Sequence, residues 1–254
     1  MQDGLSDLEN GIVLAELGGY GNGPFCAEYG KGAALVIMGT YIIDASDDVR
    51  YPAEFVFKPG PSNYRDYLRR HVPKAKESGA KVAVSAISVN LQDTVDFLVE
   101  AEAAGADYVS LCGHSAMDMF TSRGLGYKIC MPENRLILKE WARVIMDATK
   151  VPFIFKPGSV WKSEIIESVR IVAGLGGPIL HANLGLAFEP QGLETVKKLS
   201  SIFDFVIAGG GITNANSAGK VLAAGAKAVS VAKAAMQDST FIGRLRADLQ
   251  AAES

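Results

Sequence analysis

Short apolar runs alternate with longer amphipathic stretches along the whole chain, and turn residues mark each change of pattern. The apolar runs lie at residues 12–17 (IVLAEL), 34–39 (ALVIMG), 82–87 (VAVSAI), 108–111 (YVSL), 152–156 (PFIFK), 178–182 (PILHA), 205–209 (FVIAG) and 228–232 (AVSVA). They are rich in β-branched residues and apolar at successive positions, the signature of parallel strands covered by helices. Between them, LQDTVDFLVEAEAAGA, ENRLILKEWARVIMDATK, KSEIIESVRIVAGLG and NANSAGKVLAAGA carry helical spacing, and several end in Gly just before the next strand, as a left-handed C-cap requires. Eight strands, each followed by a helix-sized segment, predict an α/β fold, a single (β/α)8 TIM barrel over residues 1–254. A doubly wound sheet would not ordinarily need eight parallel strands.

Two connections exceed what βα units need. One runs from Tyr41 to about Pro61 and the other from Gly113 to Pro132. Both follow the C-terminal end of a strand, the face on which barrel active sites are built, and long loops in a compact domain are usually functional.

Composition narrows the chemistry. A formal charge of −3 provides no overall basic field for nucleic acid. The three cysteines, Cys26, Cys112 and Cys130, have no CxxC spacing, so neither a disulfide framework nor a zinc site is indicated. No HxH, HExxH or clustered carboxylate-histidine spacing points to any other metal. An acidic, polar N-terminus unlike a signal peptide and the lack of an apolar run of about 18 residues read as a cytoplasmic protein without a membrane span.

The candidate chemistry falls at predicted strand ends. Gly209, Gly210 and Gly211 follow the seventh strand, and Ala232 and Lys233 the eighth; in this fold these two loops form a recurrent phosphate site, though a tight turn and a rim lysine would explain them equally. Lys156 ends an apolar strand beside Pro157, fit to hold an anion or serve as an amine nucleophile, unless it only snorkels at the rim. His181 ends the sixth strand; Cys112, His114 and Ser115 follow the fourth, all capable of proton transfer or nucleophilic work. Ser85 and Glu16 are polar residues in apolar strands, directed toward the mouth or, for Ser85, satisfied locally. His71, in a basic helical segment, reads as part of a solvated face.

At these residues the chain resembles the FMN-binding barrels of the tRNA-dihydrouridine synthases, nearest to an archaeal dihydrouridine-synthase-related branch, with dihydroorotate dehydrogenases as more distant kin. Residues 105–135, GADYVSLCGHSAMDMFTSRGLGYKICMPENR, resemble a continuous synthase stretch. Lys156 falls on the lysine of a Lys-x-Arg strand, His181 on the histidine of a His-Gly-Arg strand followed here by Ala182 and Asn183, and Ser85 on a flavin-facing glutamine. Gly209 to Gly211 and Ala232-Lys233 fall on the FMN-phosphate loops, and LAELGGYGNGPF, containing Glu16 and Gly18, on the opening strand and its flavin-facing turn. The resemblance implies FMN as cofactor and hydride transfer to or from a C=C or CH–CH bond, with a partner acid or base on the loop after strand four. Departures are the Cys-Pro pair, here Ser115-Ala116, its preceding Asn, here Cys112, and the Arg of Lys-x-Arg, here Gly158.

The synthases carry a C-terminal helical domain that grips tRNA, and this chain stops about one helix after its last strand. With the acidic charge balance, that argues against tRNA and for a small unsaturated or heterocyclic metabolite; the basic segment from Arg65 to Lys76 reads as a solvated helix face. The expected function is an FMN-dependent oxidoreductase, with a Schiff-base lyase or synthase using Lys156, or a non-catalytic FMN-binding barrel, as alternatives. A homo-oligomer is left open.

Overall fold

The structure, a computed structural model, describes residues 5–46 and 49–253. Its elements in chain order are β1 (Gly11–Leu14), α1 (Gly23–Tyr29), β2 (Leu35–Ile43), β3 (Val56–Phe57), α2 (Arg65–Lys76), β4 (Lys81–Ser88), α3 (Leu91–Ala103), β5 (Tyr108–Gly113), α4 (Asp118–Thr121), α5 (Arg135–Ala148), β6 (Phe153–Pro157), α6 (Ser163–Ala173), β7 (Ile179–Asn183), α7 (Pro190–Ser200), β8 (Val206–Gly209), α8 (Ala215–Ala223), β9 (Ala228–Val231), α9 (Lys233–Gln237) and α10 (Phe241–Glu253). The strands follow one another as β1-β9-β8-β7-β6-β5-β4-β2, and pairing of β1 with β2 closes the ring. Every pair is parallel, and β3 pairs only with β2. The result is an eight-stranded TIM barrel with β3 outside the ring. Among the described residues, no helix is long and apolar enough to cross a membrane.

The side-chain period of two decides what each strand sends inward. Val13, Leu35, Ile37, Ala83, Tyr108, Ile154, Ile179, Phe205, Ile207 and Ala228 pack with Leu8 as one buried cluster that fills the N-terminal half of the barrel. Two residues further along the same strand faces come Ser85, Ser110, Lys156, His181, Gly209 and Ser230. The interior is therefore an apolar plug under a polar upper layer. Residues of the opposite parity, such as Val36, Met38, Val84, Phe155 and Leu180, face the helices in the larger core.

Strand boundaries differ from the sequence expectation in two instructive places. β2 runs on through Ile43 although Gly39 marked its expected end: Gly39, at φ 103°, sits in an irregularity between Met38 and Tyr41, after which pairing with β4 resumes. A mid-strand glycine marks a bulge rather than a stop. β1 ends at Leu14; the Ala15 N–H still donates to the Val231 carbonyl at 2.9 Å, and Glu16 follows it toward the turn.

The basic segment forms α2, with Leu68, Val72 and Ala75 buried. Arg65 pairs with Glu100, Lys74 with Glu77 and Lys76 with Asp107. These cations are neutralised locally. His71 is a correction: it is half-buried, not part of a solvated face, with its ring stacked on Tyr67 and its Nδ1 accepting the Gly23 N–H at 3.1 Å.

Candidate functional site

The polar layer opens at the C-terminal mouth into two adjoining cavities. The larger, about 560 Å³, is bordered by His181 and Asn183 of β7, Gly209 to Thr213, and Ser230 to Ala234. The smaller, about 270 Å³, is bordered by Gly18, Thr40, Ile42, Arg50, Tyr51, Ile87, Cys112, Ser115 and Met117. Glu16, His114 and Lys156 line both. Another cavity, about 690 Å³, lies at the opposite end of the barrel among Asp7, Glu9, Lys76, Lys81 and Asp107. Lys76 pairs there with Asp107, Lys81 with Asp7 and Glu9 with Lys227.

At the junction, Lys156 Nζ lies 3.0 Å from Glu16 Oε2, with residue exposures of 7% and 8%. Burial alone would raise the Glu16 carboxyl, but the Lys156 ammonium, the His181 side and the residue's own backbone N–H outweigh it and hold the group below its ordinary value. His181 Nδ1 is 3.5 Å from the same oxygen, and its Nε2 is 3.0 Å from Ser230 Oγ. Burial, reinforced by Lys156, lowers the His181 ring to about 3, so it is neutral at physiological pH. His114 is pushed down in the same way, by burial first and then by Lys156.

The glycine run has a packing requirement of its own. A Cβ on Gly209 would collide with Ser230 Oγ; on Gly210, at φ 123°, it would meet the Gly185 carbonyl oxygen at 2.6 Å. These residues let the β8 end press against the loop after β7. They also leave the N–H groups of Gly211 and Lys233 without acceptors within the chain, among the described residues. An anion at that end of the larger cavity would find backbone donors and the Lys233 side chain.

The other expected residues spread across the mouth. Asn183 borders the larger cavity, its Oδ1 accepting the Gly185 N–H at 3.2 Å. Gly18 borders the smaller one, where a Cβ would strike the Tyr51 hydroxyl. Ser115 Oγ accepts the Met117 N–H at 3.3 Å, and its carbonyl accepts from Tyr127. Cys112 is buried with its thiol pushed up, first by burial and then by Glu16. A protonated thiol is a poor nucleophile. Ser85 is fully buried, 3.3 Å from Thr40 Oγ1, and lines neither cavity.

Sequence reasoning did not single out Ser230, Thr40, Arg50 or Tyr51. Ser230 carried the same signal as Ser85, a hydroxyl in an apolar strand. Arg50 and Tyr51 lie within the long connection after β2, where the Tyr51 hydroxyl donates to the Thr40 carbonyl at 3.3 Å. Their loop was legible; the individual side chains were not.

No protein-family model matches the chain. It is similar to an uncharacterized protein of Methanocaldococcus jannaschii, 27% identical over 174 residues, which span 66% of this chain and 66% of that protein, just under two thirds of its length. Among solved structures it is similar to DHODH from Eimeria tenella in complex with ferulenol, with a TM-score of 0.68 and 14% identity over 94% of this chain and 80% of that one. A dihydrodipicolinate synthase aligns with a TM-score of 0.57 and 14% identity, covering 95% of this chain and 76% of that one. At this level of identity the likenesses concern architecture alone: the chain is a TIM barrel, folded as enzymes of different chemistries are.

Proposed function

We propose that this barrel is an FMN-dependent oxidoreductase acting on a C=C or CH–CH bond of a small unsaturated or heterocyclic metabolite. The observation that carries the reading is the pair of cavities meeting at Glu16, His114 and Lys156. Transfer between a bound cofactor and a substrate needs two spaces in contact, whereas a lyase acting through one lysine needs one. The larger cavity has the volume of a small-ligand site, free backbone N–H groups and Lys233 at one end, and Lys156 at the other, so its residues fit FMN. Gly211 and Lys233 would hold the phosphate, and Lys156 would face the ring system. When bound, FMN supplies hydride transfer.

The protein's own groups would handle the rest. Reduction of a C=C bond requires a proton as well as a hydride, and oxidation releases one. Ser115 borders the smaller cavity; among the described residues its Oγ only accepts, from the Met117 N–H, so its own O–H would serve as that proton donor or acceptor. His114 is beside it, held neutral. Ile42, Ile87, Met117 and Tyr51 provide an apolar wall that limits water around the reacting carbon.

Likeness to DHODH supports the flavin reading, and likeness to dihydrodipicolinate synthase gives equal support to a Schiff-base lyase. The side chains weigh against the latter: Glu16 engages the Lys156 ammonium at 3.0 Å, an arrangement suited to holding an anion or donating hydrogen bonds rather than presenting a free amine. The test is the purified protein. A yellow preparation with flavin absorbance, or uptake of added FMN, is expected; a colourless protein that takes up no FMN refutes the proposal. Borohydride trapping of a carbonyl substrate on Lys156 would instead establish the lyase.

A further inference from the structure

Among the described residues, four buried polar atoms at the junction of the cavities have no hydrogen-bond partner: both Glu16 carboxylate oxygens, His114 Nδ1 and His181 Nδ1. Glu16 is the charged member. Its side chain is only 4% exposed, yet it borders both cavities, and Lys156 meets it as an ion pair through Oε2. Among the described residues no aligned donor reaches either oxygen, and Oε1 has not even the ion-pair contact that Lys156 gives Oε2. A buried carboxylate oxygen left unpaired is costly, and a structural counter-ion for Lys156 would need only one of its two oxygens.

We propose that Glu16 is the recognition residue of this mouth, accepting through Oε1 a hydrogen bond from an N–H or O–H group of the ligand where the two cavities meet. The ligand therefore brings an uncharged or cationic donor to that point. A carboxylate or phosphate there would face Glu16 directly and be repelled; anionic parts find cations instead at Lys233 and at Arg50 on the rim. The Lys156 ammonium has three hydrogens, and those not directed at Glu16 are available to an acceptor next to the ligand's donor. The matching ligand edge is a donor beside a carbonyl, as in a lactam or an imide. The inference rests on the mouth being a ligand site and not on the ligand being flavin, so the donor belongs either to the cofactor or to the substrate.

Methylating the donor separates these sources. Binding of valerolactam and N-methylvalerolactam, and of FMN and FMN methylated at its imide nitrogen, is measured by calorimetry on the intact protein and on Glu16→Gln. In the wild type, methylation is expected to weaken binding about tenfold or more in at least one pair, the scale of a hydrogen bond to a charged group. Glu16→Gln, near-isosteric but uncharged, should reduce that gap to a few-fold. A gap in the lactam pair assigns the donor to the substrate, and one in the flavin pair assigns it to the cofactor. Equal binding of parent and methylated forms in both pairs, no binding by any probe, or an undiminished gap in folded Glu16→Gln overturns the proposal. The wild-type comparison stands even if the variant does not fold. Failure of FMN alone to bind refutes the flavin reading while the lactam pair still decides the role of Glu16.

Discussion

Replacing Lys156 with Met leaves the Glu16 carboxylate buried without its cation. The two groups are 3.0 Å apart and almost fully enclosed, so the loss is that of a broken buried pair, about 3–5 kcal/mol. For a chain of this size, that is a fall in Tm of roughly 6–20 °C. Adding Glu16→Gln to Lys156→Met removes the stranded charge and should recover most of the loss, because an uncharged pair no longer carries the desolvation cost. Urea unfolding of the wild type, both single variants and the double variant gives the coupling directly.

pH provides an independent check. In the wild type, Glu16 is held below its ordinary 4.5, so its contribution to stability is present above 4.5 and is lost as pH falls through the lower folded-state value. In Lys156→Met the largest influence left is burial, which raises the group. The folded variant then binds the proton more tightly than the unfolded chain, and its deficit should narrow as pH falls from about 7 toward 4.5. A double variant no more stable than Lys156→Met, together with a deficit independent of pH, would show that the two side chains are not coupled as described.

His181, lowered to about 3 in the folded protein, is protonated first in the unfolded chain, so stability should fall as pH drops from about 6.5 toward 3, with a limiting slope of about 1.4 kcal/mol per pH unit. His181→Gln should flatten that part of the unfolding-pH profile, and an unchanged slope would assign it to other groups. Gly210→Ala forces a side chain to φ 123° and toward the Gly185 carbonyl, a loss of about 2 kcal/mol or more in urea unfolding; a neutral substitution would show that the β8 end has room to move. Ser115→Ala should leave FMN bound while slowing the half-reaction with substrate by about 100-fold or more in stopped-flow measurements, and unchanged turnover would remove Ser115 from the chemistry.

Much of the barrel was legible in the order of residues. Apolar runs at successive positions became the strands of the ring, within a few residues, because parallel strands covered by helices require little else. Where boundaries slipped, tertiary pairing had overridden a local signal, as when β2 continued past Gly39 because β4 lay beside it to receive hydrogen bonds. His71 was misread for a related reason. Its basic neighbours suggested solvent, but the Tyr67 ring and the Gly23 N–H, supplied by packing against α1, enclose it.

The site divides along the same line. Strand-end position and residue type singled out Lys156, His181, Glu16 and the loops after β8 and β9 without any coordinates. Residue parity along each strand also determines that Lys156, His181 and Ser230 share the inward face with the apolar plug beneath them. What only the tertiary structure decided is who meets whom. Glu16, just after β1, and Lys156, on β6, are distant in sequence and approach to 3.0 Å because the ring closes through β1–β2 and β1–β9 pairing. Closure turns separate strand ends into one layer, removes it from water, and so converts ordinary side chains into an ion pair, a neutral histidine and a carboxylate oxygen with no donor of its own. Local patterning fixes the faces of strands and helices; burial and long-range contact, which set the electrostatics, exist only after the barrel has closed.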